Sequence, residues 1–217
     1  MVLVKRSYIA MMHAIGGFGP TKPLFAAAEE SDPYGWRRWF ASLLAIYDIR
    51  KMAELGLPWW NVAATREVER FLAARRNARV FEYGAGASTA WLAKRAHEVL
   101  TVEHDAAFMG EFRKMLAPLA NVALLERPIV DGGASYVGAI SEVGGHFDLV
   151  VVDGRHRADC LMAAIPHLKP GGIVLFDDSG RKRYRGAIAH SGLSESHYFG
   201  RSFCVPYPDH TSILHHA

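Results

Sequence analysis

Short apolar runs recur along the middle of the chain at a regular spacing. Five of them have the length and composition of strands, and roughly 20 to 25 residues separate the start of each from the start of the next. They cover residues 80–83, 99–103, 122–125, 147–152 and 172–176. The segments between them carry helical periodicity, at residues 89–96, 106–116 and 157–168. Strands that alternate with helices predict right-handed crossovers and a mainly parallel sheet.

The fourth run and the end of the chain complete this picture. Residues 147–152 are almost continuously apolar, as expected for a strand that is covered on both faces. Near the C-terminus, residues 196–205 and 211–215 have the pattern of two strands, and the turn between them is too short for a helix. We therefore predict an α/β fold with a doubly wound, mainly parallel seven-stranded sheet that ends in an antiparallel hairpin.

The first 57 residues have a different pattern. Glycines and prolines are frequent in residues 16–34, which predicts a loop or arm. Residues 36–55 show apolar positions at helical spacing, and Gly56 and Pro58 would end that helix. A second helix is predicted at residues 63–75. We expect an N-terminal helical extension at residues 1–57 and the sheet domain at residues 58–217; the extension could be a lid, a homodimer contact or a membrane-surface arm.

Composition narrows the class of protein. With 217 residues, 50% of them hydrophobic and 22% charged, the chain can form one globular domain with an extension. A formal net charge of +3, without a basic stripe, gives no reason to expect a nucleic-acid partner. The longest uncharged stretch near the start, residues 7–21, is shorter than the roughly 20 apolar residues of a membrane span. Cys160 and Cys204 read as free thiols, so we expect a soluble, cytoplasmic protein.

A glycine-containing loop lies where the first predicted strand gives way to a helix. Gly84 and Gly86 permit a tight turn and close approach of a ligand to the backbone. Glu103 ends the second predicted strand, 21 residues after Glu82, where a carboxylate can accept hydrogen bonds from ribose hydroxyls. Each feature alone also fits an ordinary strand-to-helix turn or a solvated carboxylate. Together they predict a site for an adenosine-type cofactor.

Two residues of the loop indicate which cofactor this is. Dinucleotide-binding loops favour a third glycine, and Thr89 occupies that position here. Glu82 would also lie badly beside a pyrophosphate. S-adenosylmethionine has no phosphate and carries an amino group and a sulfonium, so a nearby carboxylate suits it better.

The ordered set of motifs resembles the class I S-adenosylmethionine-dependent methyltransferases, which have a Rossmann-like sheet. The matching features are the loop at residues 82–89, Glu103, the strand end at residues 151–153, the turn at residues 169–172 and the terminal hairpin. The resemblance covers about residues 60–215 and implies that S-adenosylmethionine is the cofactor. The residues that it implies as cofactor contacts are Glu82, Tyr83, Gly84, Gly86, Ser88, Thr89, Glu103, His104, Ile129, Asp131 and Asp153. Ile129 and Asp131 would lie beside the adenine, although residues 131–133 also read as a plain turn.

Acidic residues follow the fourth and fifth predicted strands. Asp153 and His156 end one of them, Asp177 and Asp178 end the next, and neighbouring strand ends place these side chains near one another. The arrangement resembles the metal-assisted O-methyltransferases of the catechol type. That resemblance implies Mg²⁺ at Asp153, Asp177 and Asp178, and catalytic roles for Asp153 and His156, the latter as general base.

Two departures leave that last implication open. Catechol-type enzymes typically have lysine at the position of His156 and asparagine at that of Asp178. The chain is also similar to methyltransferases that act on sugars and natural products, among which metal use varies. Asp177 could instead cap the following segment, and His156 could face solvent at a helix start.

Further residues near these strand ends could contact an acceptor. The basic run at residues 181–185 could attract an anionic acceptor or form a solvated helix face. Trp59 and Trp60 could cover the acceptor pocket or pack against the sheet. We predict methyl transfer to oxygen on a small-molecule or sugar-like acceptor. The alternatives are a catalytically silent cofactor-binding partner and a nicotinamide-dependent oxidoreductase.

Overall fold

The computed structural model describes residues 2–19, 22–130 and 132–217. Five helices precede the first strand: α1 (Val2–Gly17), α2 (Lys22–Glu29), α3 (Trp36–Leu44), α4 (Ile49–Glu54) and α5 (Val62–Ala73). The strands are β1 (Arg79–Tyr83), β2 (Glu98–Glu103), β3 (Val122–Glu126), β4 (Phe147–Val152), β5 (Leu168–Asp177), β6 (Ser194–Arg201) and β7 (Pro208–His215). The helices between them are α6 (Ala87–Ala93), α7 (Ala106–Leu116), α8 (Ala134–Val143), α9 (Arg157–Ala164) and α10 (Lys182–His190).

The seven strands form one sheet in the order β3-β2-β1-β4-β5-β7-β6. β1 to β5 run parallel, while β7 is antiparallel to both β5 and β6. The predicted mainly parallel sheet with its antiparallel hairpin is thereby confirmed. The chain leaves β1 toward β2 and β3 and then returns to pair β4 with β1. This reversal opens a crevice beyond the carboxyl ends of β1 and β4, where α/β sheets bind their ligands.

Both faces of the sheet are buried. One face packs against α8, α9 and α10 through residues such as Phe81, Tyr136 and Leu161, and the other packs against α5 and α6 through Trp60 and Val68. The apolar runs are therefore continuous, because no face of the central strands meets water. Cys160 and Cys204 are both buried as free thiols.

The hairpin differs from its prediction at both strands, since β7 begins at Pro208 and not at residue 211. The first strand was expected at residues 196–205, but β6 ends at Arg201 and the next residues leave the sheet edge. Ser202 forms an isolated bridge with Asn61, and the Phe203 amide donates to the Trp60 carbonyl. Cys204 has a φ of +65°, which no strand residue adopts. The segment after β6 is thus bound to the N-terminal part of the chain.

The N-terminal prediction was wrong in two places. The expected loop at residues 16–34 contains α2, because Pro23 lies in the first helical turn, where proline is tolerated, and three alanines follow. The single helix expected at residues 36–55 is divided into α3 and α4. Tyr47 has a φ of +58° between them, and the Asp48 side chain accepts from the Lys51 amide at 3.1 Å to cap α4.

The N-terminal helices share a core with the far end of the chain. Met52, Leu55 and Leu57 are buried in one apolar cluster with Phe203 and Cys204. No helix of the described residues is both long enough and apolar enough to span a membrane.

Candidate active site

Two glycines bring the main chains at the ends of β1 and β4 close together beside the crevice. Gly84 follows β1 with a φ of +96°, and a Cβ at this position would lie 2.7 Å from Gly154 Cα and 2.8 Å from its nitrogen. Gly154 follows the end of β4, so the two strand ends approach too closely for a side chain at Gly84. Both glycines line the cavity, so a ligand there can approach the main chain closely.

Glu82 holds the glycine loop from beneath. Its side chain is completely buried and accepts hydrogen bonds from Ser88 Oγ and Thr89 Oγ1, both at 2.5 Å. Thr89 Oγ1 in turn accepts from the Gly86 amide at 3.0 Å. Burial raises the pKa of Glu82 to about 7, while the hydroxyl hydrogen bonds oppose that increase. The carboxylate that was expected near the methionine moiety thus stabilises the loop and does not line the cavity.

The raised pKa of Glu82 predicts a specific pH dependence of stability. Because the folded pKa of about 7 exceeds the ordinary 4.5, the contribution of Glu82 is most favourable below pH 4.5 and is lost as the pH rises through 7. The free energy of unfolding, measured with denaturant, should decrease between pH 5 and pH 8. The decrease should be larger in wild type than in Glu82→Gln by up to about 3 kcal/mol. The half-exposed Glu67 offers a control, since Glu67→Gln should follow the wild-type profile. Parallel profiles for wild type and Glu82→Gln would contradict the assignment.

Glu103 lies at the end of β2 and lines the cavity. Its Oε1 accepts from the amides of His104 at 2.8 Å and Asp105 at 2.9 Å, and its Oε2 accepts from the Ala85 amide at 3.2 Å. These bonds fix the carboxylate beside the glycine loop. Within the described part of the chain, Oε2 accepts only the hydrogen bond from Ala85 and retains a second lone pair, so it can also accept from a hydroxyl group of a ligand. His104 lines the same wall, with its Nδ1 2.6 Å from Glu103 Oε1.

The acidic strand ends do meet, as predicted, but they meet around Arg157. Its Nη2 lies 2.9 Å from Asp153 Oδ1, and its Nη1 lies 2.9 Å from Asp178 Oδ2 and 3.4 Å from Asp177 Oδ2. The guanidinium also donates to three main-chain carbonyls, those of Asp153 at 3.0 Å, Gly154 at 3.1 Å and Asp177 at 2.6 Å. Arg157 therefore clamps the ends of β4 and β5 together.

This clamp corrects the prediction of a magnesium site. Within residues 2–19, 22–130 and 132–217, no three or more histidine, cysteine, aspartate or glutamate side chains form a group that could hold a metal ion. The guanidinium lies between the carboxylates of Asp153, Asp177 and Asp178, which is where a shared ion would have to be. Mg²⁺ also requires near-octahedral oxygens at roughly 2.0–2.1 Å, and these residues do not fit that requirement.

Other polar groups fix the three carboxylates further. Trp60 Nε1 donates to Asp153 Oδ2 at 3.0 Å, and Thr211 Oγ1 donates to Asp177 Oδ1 at 2.8 Å. Arg181 Nη2 lies 2.7 Å from Asp178 Oδ1. Burial raises the pKa of Asp177 well above its usual value, and the neighbouring carboxylate of Asp153 adds to the increase against the opposing charge of Arg157.

His156 lies beside this cluster but faces another way. It precedes α9 in a left-handed conformation, with a φ of +47°. Its imidazole packs on Gly133, where a Cβ would lie 2.6 Å from His156 Nε2. Gly133 belongs to the connection between β3 and α8, whereas the adjacent Arg157 reaches toward β5. His156 thus lines the cavity on the side where the adenine was expected.

One cavity of about 1510 Å³ joins these groups. Most of the predicted site residues line it: Gly84, Gly86, Ser88, Glu103, His104, Asp153, His156, Asp177 and Asp178. Its volume exceeds the roughly 300–1,000 Å³ that is typical of a single small-molecule site, so it has room for a cofactor and an acceptor. Aromatic side chains of Tyr8, Tyr47, Trp59 and Tyr207 form part of its wall.

The other predicted contacts lie away from the cavity wall. Tyr83 and Thr89 are buried, and Tyr83 donates its hydroxyl hydrogen to the Val137 carbonyl at 2.7 Å. Ile129 packs against the core on the α8 side of the sheet. The predicted Asp131 lies outside the described residues. The cavity is therefore lined by the glycines, Ser88 and Glu103 and not by Tyr83, Thr89 or Ile129.

Sequence reasoning missed Arg157 and the contribution of the N-terminal region. Arg157 follows Asp153 by four residues, but Asp153 lies before the start of α9, so helical spacing does not predict their contact. No sequence signal pointed to Tyr47 or Tyr207, because only the packing of the N-terminal helices on the 202–207 segment brings them to the cavity.

Comparison with known proteins finds a methyltransferase-domain match over part of this chain. Residues 81–179 match a family described as a methyltransferase domain, and this range begins in β1 and ends just after β5. It therefore includes the glycine loop, Glu103 and the Arg157 cluster. The search of curated proteins found no match to this chain.

Solved structures share the fold at low sequence identity. Precorrin-6y C5,15-methyltransferase from Geobacter metallireducens is 14% identical with a TM-score of 0.53, over 71% of this chain and 88% of that one. An rRNA methylase from Streptococcus thermophilus is 14% identical with a TM-score of 0.52, over 70% and 96%. The N-methyltransferase NodS from Bradyrhizobium japonicum, in complex with S-adenosyl-L-homocysteine, is 15% identical with a TM-score of 0.50, over 70% and 84%. At these identities the similarity concerns the fold.

Proposed function

We propose that this protein is an S-adenosylmethionine-dependent methyltransferase that transfers the methyl group to an oxygen of a small-molecule or sugar-like acceptor. The observation that carries the proposal is the glycine-lined part of the cavity at Gly84 and Gly154, with Glu103 fixed beside it. The methyltransferase-domain match over residues 81–179 supports methyl transfer.

The glycine loop favours this cofactor over a dinucleotide. In a dinucleotide site, a third glycine allows the helix to pack closely on the strand and leaves the helix N-terminus to the pyrophosphate. Here Thr89 fills that position, and its hydroxyl joins Glu82 to the Gly86 amide. A buried carboxyl group directly below the loop disfavours phosphate and suits a ligand that carries positive charge.

We assign the acceptor to the part of the cavity that His156 and the Arg157 cluster line together. When bound, the cofactor supplies a methyl group on a positively charged sulfur; the acceptor oxygen bonds to that carbon while the carbon–sulfur bond breaks and leaves its electrons on sulfur. The carboxylate of Asp153, which accepts a hydrogen bond from Trp60 and pairs with Arg157, would lie between the cofactor and the acceptor. We assign the hydroxyl proton of the acceptor to the imidazole of His156, which lines the same cavity.

Calorimetry and a transfer assay test this function. S-adenosylhomocysteine should bind with a dissociation constant in about the micromolar range, whereas NAD should not bind. A panel of hydroxylated small molecules and sugars, incubated with labelled methyl donor, should include a labelled product. Ribosomal RNA serves as a macromolecular arm of the panel, because one structure of similar fold is an rRNA methylase. Binding of NAD without S-adenosylhomocysteine would favour an oxidoreductase, and cofactor binding without any labelled acceptor would favour a silent partner.

Replacement of His156 distinguishes its two roles. As general base, His156→Ala should lower kcat by roughly 10²- to 10⁴-fold and leave the affinity for S-adenosylhomocysteine nearly unchanged. His190→Ala, at the exposed end of α10, is the matched control and should behave as wild type. Weaker cofactor binding at an unchanged kcat would instead mean that the ring, which packs on Gly133, shapes the adenine side of the cavity.

A further inference from the structure

We propose that the methyl acceptor carries an anionic group, either a carboxylate or a phosphate ester, and that Arg183 binds this group at the rim of the cavity. The inference rests on the proposed function and narrows it, because it names a chemical class of acceptor. It also assigns a role to part of the basic run at residues 181–185, whose contribution the sequence alone leaves open.

The structure divides this basic run into residues with different surroundings. Arg181 and Arg183 line the cavity, whereas Lys182 and Arg185 are not among the residues that line it. Arg185 is bound elsewhere, since its two terminal nitrogens each lie 2.7 Å from a carboxylate oxygen of Glu195 on β6. The run therefore presents two guanidinium groups to the cavity and is not simply a solvated helix face.

The two guanidinium groups differ in their partners. Arg181 Nη2 lies 2.7 Å from Asp178 Oδ1. The guanidinium carbon of Arg183 lies 4.6 Å from the ring centroid of Tyr184, and this guanidinium forms no ion pair with any carboxylate in the described part of the chain. Tyr184 is itself buried against Phe176, with the ring centroids 5.4 Å apart. Arg183 therefore has a free charge at the cavity, and a guanidinium can bind a carboxylate or phosphate through two parallel hydrogen bonds.

The carboxylates in this part of the cavity already have partners. Three of them pair with Arg157, as described above. Burial raises the pKa of Asp177 well above its usual value, which weakens the negative charge of that group. Asp209 also lines the cavity, and its Oδ1 accepts from the His210 amide at 2.8 Å. The charge of Arg183 thus remains for a ligand to neutralise.

The order of the strands separates Arg183 from the predicted ribose site. Glu103 ends β2 on one side of β1 and β4, whereas Arg183 follows β5 on the other side. Because β7 is antiparallel to β5, Tyr207 just before β7 lies beyond the same end of β5. Tyr207 and Trp59 both line the cavity and offer aromatic surface to the remainder of an acceptor. An acceptor whose anionic group pairs with Arg183 can therefore extend toward the Arg157 cluster without occupying the cofactor site.

Matched pairs of acceptors, incubated with labelled methyl donor, test this inference. The pairs are para-hydroxybenzoate with para-hydroxybenzamide, and glucose 6-phosphate with glucose, so the members of each pair differ mainly in charge. In at least one pair, kcat/KM for the anionic member should exceed that for the neutral member by about tenfold or more. If neither pair is methylated, saturation-transfer NMR on the complex with S-adenosylhomocysteine should still show preferential binding of the anionic members. No such preference, or methylation of ribosomal RNA in preference to both anions, would overturn the proposal.

Substitution of Arg183 tests the residue itself. Arg183→Ala should raise KM for the anionic acceptor, or its dissociation constant by NMR, about tenfold or more and leave KM for S-adenosylmethionine unchanged. Arg183→Lys should give an intermediate value, because lysine keeps the charge and loses the two parallel hydrogen bonds. Lys182→Ala removes the same charge from the neighbouring position outside the cavity and should behave as wild type.

The outcomes separate this inference from the proposed function. Unchanged affinity for the anionic acceptor in Arg183→Ala, or an equal loss in Lys182→Ala, would overturn the role of Arg183. Calorimetry with S-adenosylhomocysteine on the same samples reports on the cofactor site. Absence of cofactor binding by wild type would contradict the proposed function, whereas cofactor binding without a preference for anions would contradict only this inference.

Discussion

Replacing Gly84 with alanine should abolish binding of S-adenosylhomocysteine and destabilise the fold. The new Cβ would lie 2.7 Å from Gly154 Cα at a φ of +96°, and the contacting atoms belong to main chain that cannot rotate away. The left-handed conformation alone costs about 1–2 kcal/mol for a residue with a side chain, and separating the strand ends adds to this. Calorimetry should show affinity reduced by at least about 100-fold, equivalent to about 2.7 kcal/mol.

A second glycine provides the control for this experiment. Gly138 lies inside α8, and a Cβ there would meet nothing within 4 Å. Gly138→Ala should therefore keep wild-type affinity and gain up to about 1 kcal/mol of stability, since alanine favours the helix. If Gly84→Ala bound the ligand as wild type does, the crevice between β1 and β4 would not be the cofactor site.

The sheet was predictable because its signals are local and repeated. Phe147–Val152 forms β4, and Ala106–Leu116 forms α7, as the apolar patterns indicated. Parallel strands need long crossovers, so the spacing of the runs also fixed their direction. The N-terminal helices were predicted less well, because their glycines, prolines and short lengths weaken the periodic signal.

The position of Glu82 could not be read from its strand. β1 is covered on both faces, so alternation does not separate a side chain that faces the ligand from one that is buried. Only the docking of α6 places Ser88 and Thr89 within hydrogen-bond distance of the carboxyl group. The acidic residue was correctly associated with the loop, but its contact is with hydroxyls of the protein.

The acidic cluster shows a similar limit. The sequence brought Asp153, Asp177 and Asp178 together because neighbouring strand ends converge, and the structure agrees. The convergence of the strand ends does not determine which positive charge neutralises these three carboxylates. A metal ion and a guanidinium satisfy the same carboxylates, and only the side-chain direction at the start of α9 selects Arg157.

The boundary proposed at residue 57 also needs the structure for its interpretation. The composition changes there, which suggested a separate extension. Leu55 and Leu57 are nevertheless completely or almost completely buried, in one cluster with Phe203 and Cys204 from the segment between β6 and β7. Trp39 Nε1 also donates to the Ser202 carbonyl at 2.6 Å, and the Cys204 amide donates to Ser42 Oγ at 2.9 Å.

A chain that begins at residue 58 should therefore fail to fold cooperatively. It would lose Ile46, Met52, Leu55 and Leu57, each of which contributes roughly 1.5–3 kcal/mol when fully buried. Their sum of roughly 6–12 kcal/mol is similar to the entire stability of a typical domain, about 5–15 kcal/mol. Circular dichroism should show no sharp thermal transition, and gel filtration should show aggregation through the exposed Phe203 surface.

Removal of residues 1–19 alone is the matched comparison, because it takes away α1 and leaves the four buried side chains in place. Tyr8, Ile9 and Met12 pack only partly buried against the cluster, so this shorter deletion should lower the melting temperature and keep a single cooperative transition. The extension would be a separable unit if the 58–217 chain unfolded cooperatively and kept its affinity for S-adenosylhomocysteine within about tenfold of wild type, which corresponds to about 1.4 kcal/mol. The shared core predicts the opposite, since the cavity wall at Val205 and Tyr207 continues directly from the residues that the extension covers.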